Sequence, residues 1–558
     1  MNIPIQEPAG RPVGAAPLFR HMADTIDLVA IVNRMVPWDR RQCRVSPGER
    51  ILLLVLDLLS GKSPLYRVTE RLAATDVAVL IGAGRHAEEF TDDSLGRALD
   101  KLSRADPAKV FSTLAANAYL REGITLTSGH FDTTSRTLYG DFAHTESADP
   151  RPAYGHSKDH RPDLKQVVLT LFVNGQGVPL FGGVASGNQS DKTLNAEMIE
   201  HLLAAFGPDQ LHDLIYVADS ALVTGPNLAR LTDQQIPFIS RCPDTFGMAT
   251  QAKSAAWAAG QWEALGTVSD RNAAALYWAS EHTGTYQGHT YRLVVYRSST
   301  LDRRRVQALD REITKDQRAL EKSVRHLESQ YFACEADAQQ AWERWRGEVP
   351  APWHAPTSTV AAQTVQTRPG RPRKNPKPDD VRTTWRVTVA IGPVDARRRQ
   401  AELERRSTFV LISTVPQARL SAQQLLVEYK GQVHVERHFH FLKDPLFVDA
   451  LFVKKVERIQ ALGYVILIAC LLYSLVERRL RQAQVPIPSP SRRVLTRPTG
   501  HEVVRHLQSL QVVRLDSGDR AIALPQIFHA TLEAILDGLR IPATVFTEPP
   551  LRDPPDRE

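Results

Sequence analysis

Cysteine is scarce in this chain. Its four cysteines in 558 residues, Cys43, Cys242, Cys334 and Cys470, lie far apart with no Cys-x-x-Cys pair. Neither a disulfide framework nor a thiolate zinc site is therefore indicated, and a cytosolic protein is expected. The opening residues, Met1 to Pro8, lack the basic and apolar regions of a signal peptide. Long apolar runs are almost missing too. The longest, residues 461–475, is shorter than the roughly 20 residues that cross a bilayer and has charged, helix-forming flanks, so a buried core helix is expected and no membrane partner. Glycine and proline, at 31 and 36 residues, are too few for collagen. With 42% hydrophobic and 23% charged residues, a wholly disordered chain and a coiled-coil rod are excluded as well. Gly61-Lys62-Ser63 ends like a phosphate-binding loop, but that loop needs a glycine five residues earlier, where Leu56 stands.

What is present points to several folding units, since about 100–200 residues make one domain. Lys and Arg number 69 against 62 Asp and Glu, a net charge of +7, which permits a polyanionic partner without demonstrating one. Residues 1–122 read as a helical N-terminal domain, in which Thr91 is a candidate helix cap and Ser63-Pro64 a candidate helix start. Its arginines, among them Arg67, Arg71, Arg97 and Arg104, suit either a helix-turn-helix reader of DNA ends or a dimerisation domain. From Gly123 the texture changes to β-branched runs at 124–133, 136–142, 166–173 and 178–181, then a helix at 191–206, a strand at 214–218, a helix at 225–232 and a strand at 237–241. This order predicts an α/β layered core whose first part spans 123–242. Residues 243–382 read as an α+β insertion with exposed charged helices between 301 and 346 and a basic, Pro-rich linker at 349–380. The core resumes over 383–481 with strands at 383–391 and 407–413, and 482–558 form a C-terminal extension.

Three acids stand where such a core offers its chemistry. Asp132 lies near the end of the first strand in Phe131-Asp132-Thr133-Thr134, with Phe131 alternating to the other face. Asp219 ends a strand in Val217-Ala218-Asp219-Ser220. Each is equally able to cap the following turn. Glu436 follows a capping box formed by Ser421 and Gln424. At about 100° per residue, Tyr429, Gln432, Glu436 and Lys443 fall within about 60° of one another on a helix from Ser421; the bland alternative is a solvated, loosely paired face. Three carboxylates from two strand ends and a helix suit two Mg²⁺ or Mn²⁺ ions, which want a few hard oxygens. Such a pair promotes in-line phosphoryl displacement. Lys443 would then meet nucleic-acid phosphates and Tyr429 a base or phosphate.

The segment from Tyr429 through Gln432 and Glu436 to Lys443 resembles the Tyr-x2-Arg-x3-Glu-x6-Lys signature of DDE transposases from one large branch of bacterial insertion sequences. Asp132 in Phe-Asp-Thr-Thr and Asp219 in Val-Ala-Asp-Ser match the two upstream acidic motifs. Tyr154-Gly155-His156-Ser157-Lys158-Asp159 with Arg161 to Gln166 is similar to a segment of the long-chain subgroup. Gln432 departs from the signature's arginine, so the DNA contact that the resemblance implies there is expected to be weaker or differently shaped. The resemblance covers roughly residues 20–540. It implies a ribonuclease H-like mixed sheet core in which Asp132, Asp219 and Glu436 are catalytic and bind two metal ions. It further implies cleavage of double-stranded DNA at the inverted-repeat ends of an element, strand transfer to target DNA, a homodimeric synaptic complex, and work in the bacterial cytoplasm at the nucleoid.

Other candidates compete with plainer readings. His156 and Lys158 sit in a polar, basic loop that suits DNA contact or a solvated connection. His434, His438 and His440 read as surface histidines rather than metal ligands. Arg371 and Arg373 lie in Arg-Pro-Gly-Arg-Pro-Arg-Lys, which has the centre of a minor-groove hook within what composition alone makes a basic linker. An inactive DNA-binding descendant of a transposase and a structure-selective nuclease on the same core remain the alternative functions.

Overall fold

A computed structural model of the chain describes residues 10–60, 68–139, 142, 150–156, 161–268, 274–366, 381–432, 435, 455–488, 494–495, 498–514, 521–522 and 530–550. The chain divides into two units, residues 1–240 with 427–558, and residues 241–426.

The first unit begins with helices, among them Ala16–Thr25, Leu28–Met35, Pro47–Ser60, Asp92–Arg104 and Pro107–Glu122. Their limits follow from local chemistry. The Thr91 hydroxyl accepts from Ser94 N at 3.2 Å and Asp106 Oδ1 from Lys109 N at 3.2 Å, each cap contributing about 1 kcal/mol. Pro107 then occupies a position where its missing N–H costs nothing. The candidate start at Ser63-Pro64 lies outside the described residues.

Beyond these helices the unit builds a sheet in the order Pro179–Ser186, Gln166–Asn174, Ser128–Thr137, Ile215–Ala218, Phe238–Cys242. The first three strands are antiparallel neighbours, and the last two run parallel to Ser128–Thr137. Where two runs, 124–133 and 136–142, are expected from sequence, one unbroken strand forms. Thr134, Ser135 and Arg136 go on pairing with Leu169, Val168 and Val167 respectively, so the small polar residues between the runs make no turn.

Helix Val456–Gln482 lies against this sheet and against the N-terminal helices. A Cβ on Gly463 would stand 2.4 Å from Val184 Cγ2, and one on Gly182 would stand 2.9 Å from Leu467 Cδ1, so the two glycines set how closely helix and strand approach. With 27 residues this helix is long and apolar enough to cross a membrane, and 94% of its apolar window is buried inside the protein. It outruns the 461–475 stretch because its charged ends are paired. Arg458 grips Asp100 through two hydrogen bonds of 2.7 and 2.8 Å, and Arg479 Nε donates to Glu122 at 3.1 Å. The tail returns to the start of the chain, where Gln511–Arg514 pairs antiparallel with Gly10–Pro12.

The second unit has its own sheet segment, in the order Thr408–Ser413, His289–Ser298, Leu276–Tyr286, Glu263–Thr267, and the long helices Ser299–Glu328 and Glu335–Glu348. The expectation of a linker at 349–380 is corrected for its first half. Thr357–Gln366 forms a ten-residue antiparallel ladder with Val381–Ala390, in which Thr359, Val360 and Thr364 meet the β-branched Thr388, Val387 and Thr383. Val387 and Val389 anchor the base of this hairpin on Leu320, Val324, Trp342 and Trp345. Helix Ala396–Ser407, capped by Asp395 Oδ1 on Arg397 N and Arg398 N, intervenes before the last strand and carries too few apolar residues to be seen by periodicity.

Candidate active site

Strand register brings the two upstream acids together. Phe131 pairs with Ala218 across the parallel strands, so Asp132 and Asp219 occupy the next position on each, separated by one strand spacing of about 4.8 Å. Side chains alternate along a strand, which puts both carboxylates on one sheet face and Phe131 on the other, where it stacks on Tyr216 with centroids 6.4 Å apart. Asp132 is half-buried within a strand otherwise buried from Ser128 to Arg136, and Asp219 is half-buried at the end of its own. Asp132 lies mid-strand, just past the last residue of Ser128–Thr137 that pairs with Ile215–Ala218, and Asp219 lies just past the end of that shorter strand.

Both carboxylates are held by backbone. Asp132 Oδ1 accepts from Thr133 N at 2.7 Å, and Asp219 Oδ1 accepts from Ala221 N at 2.9 Å while capping the short turn Ser220–Leu222. Capping and a place in the acidic pair thus coexist at Asp219. Behind it, the Ser240 hydroxyl donates to Asp219 O at 2.7 Å. Burial first, and then the Asp219 charge, pushes the Tyr216 phenol well above its usual pKa, so it stays a neutral donor to Asn195 Oδ1 at 3.0 Å. On that same far face Thr133 Oγ1 donates to Asp191 Oδ1, tying the Asp132 strand to helix Asp191–Ala205.

The helix expected from Ser421 starts as anticipated. Ser421 Oγ accepts from Gln424 N at 3.3 Å and Gln424 Oε1 accepts from Ser421 N at 2.9 Å, a reciprocal capping box. It spans Ala422–Lys430, shorter than the stripe count assumed. Past Gly431 the backbone changes to three-residue turns, Gln432 N to Tyr429 O and Val435 N to Gln432 O. The uniform 100° step from Tyr429 to Lys443 is therefore interrupted, glycine being a poor helix former. Tyr429 is half-buried. Gln432 is 8% exposed and its Nε2 donates to Phe131 O at 3.4 Å, so its side chain turns inward to the Asp132 strand. Beside it, His130 Nε2 lies 3.0 Å from Glu428 Oε1. Sequence reasoning missed this pair. Alternation does place His130 on the Asp132 face, but nothing in the sequence links it to a residue 298 positions away.

His156 is exposed. Glu436, Lys443, Lys158, Arg371 and Arg373 lie outside the described residues, as do His434, His438 and His440. Among the described residues no three His, Cys, Asp or Glu side chains converge as a metal site; Asp132 and Asp219 supply two hard-oxygen donors side by side.

Residues 131–472, more than half of the chain, match the family model described as the transposase DDE domain. The chain belongs to this transposase family. The match begins one residue before Asp132 and ends inside helix Val456–Gln482. Residues 11–116 match a domain of unknown function (DUF4277), which takes in the helices from Ala16–Thr25 to the middle of Pro107–Glu122. No curated protein matches the sequence. Membership makes the protein a transposase acting on DNA, and DDE transposases generally use divalent metal ions.

Proposed function

We propose that this transposase cuts DNA at the ends of an insertion sequence and joins the freed strand to target DNA, with Asp132, Asp219 and Glu436 as its acidic triad. The observation that carries the reading is that Asp132 and Asp219 each follow directly on the paired residues Phe131 and Ala218 of neighbouring parallel strands, which puts them side by side on one face. Two adjacent carboxylates, each fixed by a backbone N–H, fit hard divalent cations, which favour a few oxygen ligands. When bound, such ions activate the attacking oxygen and offset charge on the leaving one. The protein's own part is to hold the donors rigid. Thr133 N and Ala221 N orient the two carboxylates, while the Gln432 amide and the Glu428 carboxylate fasten the signature segment to the Asp132 strand.

Strand order, three antiparallel strands followed by two parallel to the first, supports the ribonuclease H-like reading of the core, with residues 1–122 as an N-terminal helical domain, 243–382 as the insertion and 482–558 as an extension. The signature branch and its long-chain subgroup rest on Tyr429, Gln432, Glu436 and Lys443 together with the segment around His156. DNA contact falls to Tyr429, Lys443, His156, Lys158, Arg371 and Arg373, the last two in sequence between the strands of the hairpin. Gln432 contributes by packing, its side chain being buried. A homodimeric synaptic complex in the bacterial cytoplasm completes the proposal.

The test is incubation of purified protein with a supercoiled plasmid carrying the gene and its native flanks, with Mg²⁺ or Mn²⁺, followed by mapping of the breaks. Metal-dependent cuts at the element boundaries are expected, reduced about 10³-fold or more in Asp132→Asn and Asp219→Asn, the scale of losing a catalytic group. Binding to the ends without cutting would leave a DNA-binding descendant, and cuts unrelated to the boundaries a nuclease.

A further inference from the structure

From the contacts between strand Ser128–Thr137 and residues 428–432 we infer that His130 and Glu428 are positioning residues. Their hydrogen bond seats the signature segment at one fixed place along the Asp132 strand. The inference rests on the proposed catalytic role of Asp132 and extends it to two residues that touch no substrate.

His130 is fully buried and lies two residues before Asp132, on the same face by strand alternation. An ionised carboxylate can only accept, so the 3.0 Å contact requires the proton on His130 Nε2, directed at Glu428 Oε1. Its Nδ1 has no hydrogen-bond partner among the described residues. Leaving a buried polar atom unpartnered is costly, and a leucine at this place would avoid the cost. What an apolar residue would lack is direction, since apolar contact tolerates sliding and a hydrogen bond does not.

Two further contacts fix the same register. A Cβ on Gly431 would lie 2.9 Å from His130 Cε1 and 3.2 Å from Nε2, so the turn rests on the imidazole only because residue 431 is glycine. One residue on, Gln432 Nε2 donates to Phe131 O at 3.4 Å. Residues 428, 431 and 432 thus grip residues 130 and 131 next to Asp132. The regular helix ends at Lys430, and backbone bonds from Gly431 N and Gln432 N to Glu428 O and Tyr429 O turn the chain there. A side-chain tether here sets where the chain continues toward Glu436.

The experiment compares Glu428→Ala, Glu428→Gln, His130→Leu and the double variant Glu428→Ala/His130→Leu with the unaltered full-length protein. Hydrogen exchange of the 427–435 backbone, thermal unfolding, and the Mn²⁺ concentration that half-saturates plasmid cleavage are measured for each. Glu428→Ala and His130→Leu are expected to speed exchange at 427–435 by about tenfold or more and to raise the half-saturating Mn²⁺ severalfold, with little change in Tm. Glu428→Gln keeps an acceptor at Oε1 and is expected to restore both. The double variant is expected to be no worse than the worse single one, as for partners in one interaction. Unchanged exchange at 427–435 in Glu428→Ala would overturn the inference, and so would a loss shared by Glu428→Gln and accompanied by a general fall in Tm. Exchange does not depend on cutting, so a protein that tightens 427–435 as described yet cuts as well with Asp132→Asn keeps the tether and refutes the catalytic reading instead.

Discussion

Two long helices, one in each unit, are stabilised in opposite ways. Val456–Gln482, with 27 residues, is buried along nearly all of its middle, from Ala461 through Leu475 apart from Leu462. Ser299–Glu328, with 30 residues, touches apolar neighbours along a single stripe, Leu309 and Ile313 near Trp353, then Leu320, Val324 and Leu327 near Trp342 and Trp345. It also forms ion pairs, Asp310 with Arg399 at 2.8 Å and Glu312 with Arg406 at 2.6 Å. The first helix is fixed by burial, at about 25 cal/mol per Å² of apolar surface. The second depends on a thin stripe supplemented by pairs worth about 0–1 kcal/mol each near the surface. The unit that contains Asp132 and Asp219 draws on the first kind of packing, and the unit of residues 241–426 on the second, which leaves its polar surface to solvent.

The contrast is broken most strongly at Leu467, which is fully buried and faces Gly182. Leu467→Ala should cost about 2–5 kcal/mol, read as a large fall in Tm, whereas no single charge reversal on Ser299–Glu328 should approach that. A smaller effect is expected at Glu402. Its carboxylate accepts from Arg405 at 2.8 and 2.7 Å and from Arg406, and these hydrogen bonds, Arg405 first, lower its pKa to about 2. The depressed value means its stabilisation is fully present above the unfolded-state pKa of about 4.3 and fades as pH falls toward about 2. Glu402→Gln should therefore lower the urea midpoint at pH 7 by the equivalent of about 0.2–1 kcal/mol, less in high salt, and not at all near pH 2. A difference that persisted at pH 2 would show that packing rather than charge holds this helix. The smallest effect is on chemistry rather than stability. Burial pushes the Cys242 thiol up to about 12 and the Cys470 thiol also upward, so a thiol reagent at pH 8 should label exposed Cys334 first and leave those two unreacted until the protein unfolds.

Much of the first unit was legible because its signals are local or periodic. The strands at 166–174 and 215–218 and the Thr91 and Ser421 caps all follow from patterns within a few residues. The second unit, residues 241–426, is harder. Strand Thr357–Gln366 reads as linker because polar threonines and glutamines dominate it, and helix Ala396–Ser407 escapes periodicity because it carries few apolar residues. The stripe joining Tyr429 to Lys443 assumed one continuous helix, and Gly431, seated on His130, ends that regularity. At Gln432 the sequence suggested an outward DNA contact, while burial turned the side chain to Phe131 O.

The sequence by itself determined where acidic residues follow strand-like runs and where several helices are capped, because those depend on side-chain type and short-range geometry. Only the tertiary structure decided that Asp132 and Asp219 share one face at neighbouring positions, and that His130 meets Glu428. Strand register and the approach of a helix to a sheet are settled by contacts between residues far apart in the chain, through closely packed glycines and buried hydrogen bonds for which local pattern has no counterpart.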